Sequence, residues 1–141
     1  MITYSDSVVS LRADQLVGFF VGWPNPPRPD VHLKLLRSSY AVVLAIDVDP
    51  DRVVGFITAI SDGILSANIP LLELLPEYQG RGIGSELART MLARLAYLYM
   101  IDITCDPELA PFYSRFGMRS FHSMIVRNFD RQNGSELSEA L

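Results

Sequence analysis

Apolar positions along the chain fall into helical and strand rhythms, and the switches between them mark the elements. Leu16, Val17, Phe19 and Phe20 recur at near-helical spacing within Ala13 to Gly22, and Asp14 favours a first turn, so a helix ending at Gly22 is predicted. The next stretch, Trp23-Pro24-Asn25-Pro26-Pro27-Arg28-Pro29, holds four prolines in seven residues, which remove amide donors and forbid helix before them. A stiff loop follows, then a short helix over His32 to Arg37 with Asp30 near its N-cap. The β-branched runs Tyr40 to Val48 and Val53 to Ile60, parted by Asp47, Asp49, Pro50 and Asp51, read as a hairpin of largely buried strands. Asp62-Gly63 tolerates positive φ, so the chain turns back along Ile64 to Leu75. In that return Ala67 and Ile69 alternate correctly, but Leu72 and Leu74 fall one residue out of step; a β-bulge at Pro70 absorbs the difference.

Beyond the return, Leu87, Met91 and Leu95 with Ala88, Leu92 and Tyr99 form one apolar stripe, predicting a helix from Ile83 to Tyr99 with Glu86, Arg89 and Arg94 off the stripe. Met100 to Thr104 reads as a strand, Leu109 to Phe116 as a helix closed by Gly117, and Ser123 to Phe129 as a final strand. Residues 1–129 form one predicted domain and 130–141 a polar tail. The expected class is α+β, layered: a mixed, mostly antiparallel sheet with helices on both faces and a bulge that splays it.

Composition narrows the function. The chain has 141 residues, 49% hydrophobic and 20% charged, enough to bury a core without disulfides or a structural metal. Its 12 Lys and Arg against 16 Asp and Glu give a net charge of −4, which argues against nucleic acid and anionic membranes as partners. No apolar run approaches the ~20 residues of a bilayer span, no secretory signal pattern opens the chain, and Cys105 is the lone cysteine, so a soluble cytoplasmic protein is expected. His32 and His122 are isolated from each other and from Cys105, so packed or surface roles are expected and no metal site.

The informative stretch is Leu72-Glu73-Leu74-Leu75-Pro76-Glu77-Tyr78-Gln79-Gly80-Arg81-Gly82-Ile83-Gly84, a strand that runs through a glycine-rich turn into a helix. Free amides of a first helical turn and glycines without Cβ make an anion site. It is not a P-loop, because Ile83-Gly84-Ser85 stands where Lys and Ser or Thr belong, and Ser85 replaces the last small residue of a dinucleotide fingerprint. Gln79-Gly80-Arg81-Gly82-Ile83-Gly84 resembles the pyrophosphate loop of the GNAT superfamily of acetyl-CoA-dependent N-acetyltransferases. Pro111-Phe112-Tyr113-Ser114-Arg115-Phe116-Gly117-Met118 is similar to that family's FY-x-x-x-GF segment, with Met118 in place of the usual aromatic.

The resemblance implies a fold, a cofactor and a chemistry. A bulge would splay the strands near Leu72 and Ile103, the pantetheine arm would pair with backbone around Leu72, Glu73 and Leu74, and the pyrophosphate would rest on Gln79, Gly80, Arg81, Gly82, Ile83 and Gly84. Acetyl transfer from acetyl-CoA would be by direct attack of an amine, with Tyr113 the match for the family's acid. No base is assigned: Asn68 can only hold a water, Glu73 is better suited to a surface or structural role, Asp62 to a turn and Asp106 to a cap. In the family the acceptor pocket is built from the first helices and their loop, here aromatic at Phe19, Phe20, Trp23 and Tyr40. With Gly22-Trp23-Pro24 and Ser61-Asp62-Gly63, that region is similar to arylalkylamine or serotonin-type acetyltransferases, which implies Trp23 and Phe20 as contacts for a small primary amine. A non-catalytic acyl-CoA-binding module is the alternative, a purely structural domain the third reading, and a homodimer is compatible with either of the first two.

Overall fold

The structure is a computed structural model that describes residues 1–134. Its centre is the antiparallel pair β2 (Ala41–Asp47) and β3 (Arg52–Ser61), in register at Val43–Ile57 and Leu44–Phe56. Both strands are apolar almost throughout because both faces are covered. Phe56 presents its ring to His32 of α1 (Pro29–Ser38) at 4.5 Å, whereas a Cβ added at neighbouring Gly55 would meet Leu87 of α2 (Ile83–Arg94) at 3.2 Å and overlap the Leu74 side chain. Successive strand residues point to opposite faces, so the two helices lie on opposite sides of the sheet.

Among the described residues the sheet has six strands. β1 (Ile2–Ser5) pairs with β2, an opening strand where only a short apolar stretch is legible in sequence. β4 (Ser66–Ile69) and β5 (Leu72–Leu74) both pair antiparallel with β3, and β6 (Met100–Ile103) runs parallel to β4. Between the pairs Ile57–Leu72 and Ile60–Asn68, β3 has Thr58 and Ala59 while the returning chain has Ile69, Pro70 and Leu71. That one extra residue is the expected bulge. Thr58 N–H donates to Leu71 O across it at 3.1 Å, so Pro70 sits where no donor is required.

Several elements differ from the sequence expectation. Over 13–22 only a 3₁₀ turn forms, Ala13–Leu16, because the backbone turns left-handed at Gly18, Phe20 and Gly22 with φ of 101°, 63° and 82°. Leu16, Phe19 and Phe20 reach the core as a folded loop rather than one helical face. α1 begins earlier than expected, with Pro29 at its first position and Arg28 as N-cap; Asp30 lies in the first turn, 3.0 Å from Arg28. α2 ends at Arg94, and Leu95 and Leu98 continue the buried stripe through turns. A 3₁₀ turn Pro107–Leu109 leads into α3 (Ala110–Ser114), and Gly117 follows with φ 86°.

The final strand expected over Ser123 to Phe129 is absent. Its apolar residues are strongly exposed, Met124 at 88% and Val126 at 78%, and a cleft of about 540 Å³ lies between this segment and β6. Strand propensity needs an edge at pairing distance, and here the hydroxyls of Thr104 and Ser123, 3.3 Å apart, bridge the gap. The predicted tail starts in a 3₁₀ turn, Phe129–Arg131, and Gln132 accepts the Asn25 amide at 2.9 Å; residues 135–141 lie outside the described residues.

His32 is fully enclosed by Phe19, Phe20 and Phe56, and neither ring nitrogen has a hydrogen-bond partner among the described residues. Burial lowers its pKa from 6.5 to about 4. The unfolded chain therefore takes up the proton first, so stability present above pH 6.5 is lost as pH falls toward 4, by roughly 3 kcal/mol at 1.36 kcal/mol per pH unit. His32→Leu is expected to flatten the pH dependence of the melting midpoint across that window. A variant whose midpoint still falls like that of the parent would place the effect on other groups.

Candidate functional site

β4 and β6 stay in parallel register as far as Ile69–Ile103. The bulge then turns the chain toward β3, so among the described residues β5 pairs with β3 alone and no strand lies on its other edge. The two strands thus part at Ile103, and Leu72, Glu73 and Leu74 face Ile103, Thr104 and Cys105 across a cleft of about 650 Å³. Backbone N–H and C=O groups at an open strand edge are obligatory hydrogen-bonding groups, available to a ligand that can imitate a strand.

From β5 the chain passes through a 3₁₀ turn, Pro76–Tyr78, into the glycine loop and α2. Tyr78 Oη donates to Asp47 at 2.8 Å and fixes the turn; that bond raises the phenol pKa and lowers that of Asp47. Gly80 and Gly82 are left-handed, φ 78° and 82°, and a Cβ at either would have nothing within 4 Å. The loop is therefore glycine-rich for its backbone path, and it borders open space. The first hydrogen bond of α2 is Glu86 N–H to Gly82 O at 3.1 Å, which leaves the amides of Ile83, Gly84 and Ser85 without helical partners. Arg81 donates to Glu77 O at 3.1 Å with its guanidinium 5.0 Å from the Tyr78 ring centre. Gln79 reaches back to Leu74 O at 3.4 Å.

Arg115 was not singled out from sequence. It donates to Ser85 Oγ at 2.7 Å and lies over the rings of Phe112 and Phe116, which places a second guanidinium at the N-terminus of α2. The signal for it lay in Phe112-Tyr113-Ser114-Arg115, but nothing in that string shows that α3 docks beside the glycine loop.

Tyr113 of α3 lies at the junction of this cleft with the one beside β6, lining both together with Cys105. It is 8% exposed, and burial, then the neighbouring Cys105, raises its pKa to about 12. The phenol stays protonated, as a donor must. Trp23, 36% exposed, also lines the cleft, with Val21, and packs on Phe20 at 4.8 Å between ring centres. Phe20, 3% exposed, stands behind Trp23 in the core, against His32 and Phe56, and is not a wall of the cleft itself.

The remaining candidates scatter. Asp62 accepts the amides of Ile64, Leu65 and Ser66 at 2.9, 2.9 and 3.2 Å, which holds its carboxyl below the usual range and makes it a turn residue. Asp106 occupies the N-cap of the turn at Pro107, without a side-chain bond. Asn68 is exposed on β4 opposite Ile60. His32 is buried and His122 exposed, and the described residues contain no group of His, Cys, Asp and Glu able to hold a metal. No described helix is long and apolar enough to cross a membrane.

Residues 37–119 match the family model described as Acetyltransferase (GNAT) domain. A crystal structure assigned as an acetyltransferase of Deinococcus radiodurans R1 superposes with a TM-score of 0.92 at 42% identity, covering 96% of this chain and 94% of that one. A GNAT-family acetyltransferase of Streptococcus pneumoniae TIGR4 has a TM-score of 0.72 at 29% identity, over 91% of this chain and 98% of the other. The N-acetyltransferase ycf52 of Porphyra purpurea is 31% identical over 100 residues, 69% of this chain. The match spans only 58% of that relative's length.

Proposed function

Since the chain belongs to the GNAT acetyltransferase family, we propose that it transfers the acetyl group of acetyl-CoA to the primary amine of a small molecule with an apolar or aromatic body. The observation that carries this reading is the continuity of the open β5 edge with the unpaired amides of α2. The stretch from Leu72 to Ser85 offers first strand-like hydrogen bonding, as a pantetheine arm requires, and then a positive, side-chain-free cradle, as a pyrophosphate requires. The open space at Gly80 and Gly82 and the guanidiniums of Arg81 and Arg115 fit that ligand.

Acetyl-CoA supplies an activated acyl carbonyl at the end of its arm. The chain's own contribution is placement: Leu72 and Leu74, whose backbone groups point away from β3 while Glu73 between them pairs with Phe56, hold the arm, and the loop from Gln79 to Gly84 holds the phosphates. Tyr113 keeps its proton at Oη, gives it to the departing thiolate as the amine's nitrogen takes the acetyl group, and is reprotonated through solvent by the proton that nitrogen loses. Trp23 offers a flat apolar wall to the amine's body, away from the phosphate cradle. Acetyl-CoA at ~100 times its dissociation constant is expected to stabilise the fold by about 2.7 kcal/mol, raising the melting midpoint by roughly 5 to 12 °C. An acetylated pantetheine lacking the diphosphate should give a much smaller shift at equal concentration. Equal shifts would remove the glycine loop from the binding site.

Trp23→Ala is expected to lower kcat/KM for aromatic amines by roughly 5- to 150-fold, an aromatic wall being worth about 1 to 3 kcal/mol. The KM for acetyl-CoA should change little, and small polar amines should lose less. Uniform losses across an amine panel, with a lowered melting midpoint, would make Trp23 a packing residue instead.

A further inference from the structure

We propose that Glu73 is a positioning residue whose side chain holds Trp23 in place as the acceptor wall, an inference that rests on the acceptor reading above. Glu73 stands in the middle of β5, opposite Phe56. Its two carboxylate oxygens each lie 2.9 Å from the Phe20 amide, and one also accepts from the Val21 amide at 3.3 Å. Phe20 is left-handed, φ 63°, a conformation that residues with a Cβ rarely adopt unless their surroundings impose it. The carboxylate is the group that imposes it here, since it gathers two consecutive amides at the turn.

The next link is local. Trp23 N–H donates to Phe20 O at 3.2 Å, and the indole packs on the Phe20 ring at 4.8 Å. Glu73, Val21 and Trp23 all border the same cleft. A continuous path therefore runs from the strand beside the donor's place, through one carboxylate, to the residue that meets the acceptor. The segment from Gly18 to Arg28 has no helix or strand of its own, and the Asn25 amide also donates to Gln132 at 2.9 Å. Removing the Glu73 carboxylate frees the turn at Phe20 while leaving the β5 backbone unaltered.

The chain contains one tryptophan, so intrinsic fluorescence reports Trp23 directly. In Glu73→Gln the emission is expected to move to longer wavelength and iodide quenching to increase. The KM for an aromatic amine should rise roughly 5-fold or more beyond any change in the KM for acetyl-CoA, a difference typical of one lost pocket contact. Glu73→Asp, which keeps the charge with a shorter reach, should recover part of both signals; if Glu73→Gln does not fold, the aspartate variant is compared with the parent by the same readings. Unchanged emission and quenching in the folded variant would overturn the proposal. So would a KM for acetyl-CoA that rises as much as that of the amine, which would assign the side chain to the donor. Failure of every amine to react would overturn the acceptor reading alone, because the fluorescence comparison stands without turnover.

Discussion

Tyr113→Phe is expected to lower kcat by roughly 10²- to 10⁴-fold, the span of general acid catalysis, while acetyl-CoA affinity stays nearly constant. The substitution deletes one hydroxyl from a buried ring that packs edge-on against Phe112 at 4.9 Å, so the fold should persist. The size of the effect follows from where the phenol sits. It lies at the junction of the two clefts beside Cys105, and burial holds its pKa near 12, so the hydroxyl is a proton donor at every pH at which the enzyme would be assayed. A departing thiolate must collect a proton, and Tyr113, the match for the family's acid, is a protonated group on the lining of both clefts. An unaltered kcat, with single-turnover rates also unaltered, would return Tyr113 to the packing of α3 against its neighbours.

Gly82→Glu is expected to abolish the stabilisation by acetyl-CoA while leaving a folded protein. Position 82 is left-handed at φ 82°, so any Cβ costs about 1 to 2 kcal/mol there, a fraction of a domain's stability. No protein atom lies within 4 Å of that Cβ, so the new side chain occupies the space assigned to the diphosphate. Its carboxylate would also compete for the amides of Ile83, Gly84 and Ser85. A full thermal shift in Gly82→Glu would show that phosphates do not bind at this loop.

The parts of this fold that could be read from the chain are those governed by local rules. The out-of-step pair Leu72 and Leu74 announces a bulge because strand periodicity is a backbone property, and the register shows the extra residue between Ile69 and Leu71. Gly80 and Gly82 announce a left-handed loop for the same reason. What was not legible depends on tertiary contacts. Leu16, Phe19 and Phe20 share a helical spacing, yet a carboxylate fifty-three residues away holds Phe20 in a conformation that no helix contains. The apolar run after Phe121 has strand composition, but its neighbour on the sheet, β6, lies across a cleft. Arg115 and Glu73 acquire their places only when α3 and the loop at Phe20 dock beside the splayed strands, and no spacing along the chain encodes either approach.

In the proposed reaction an amine takes the acetyl group. The most direct test incubates the protein with acetyl-CoA and a panel of aromatic and small polar primary amines, and measures free thiol and acetylated amine together. The two products should appear in equal amounts, only when amine is present, and fastest with aromatic amines. Stabilisation by acetyl-CoA with no amine-dependent thiol release across the panel would contradict the account and leave the chain as an acyl-CoA-binding module.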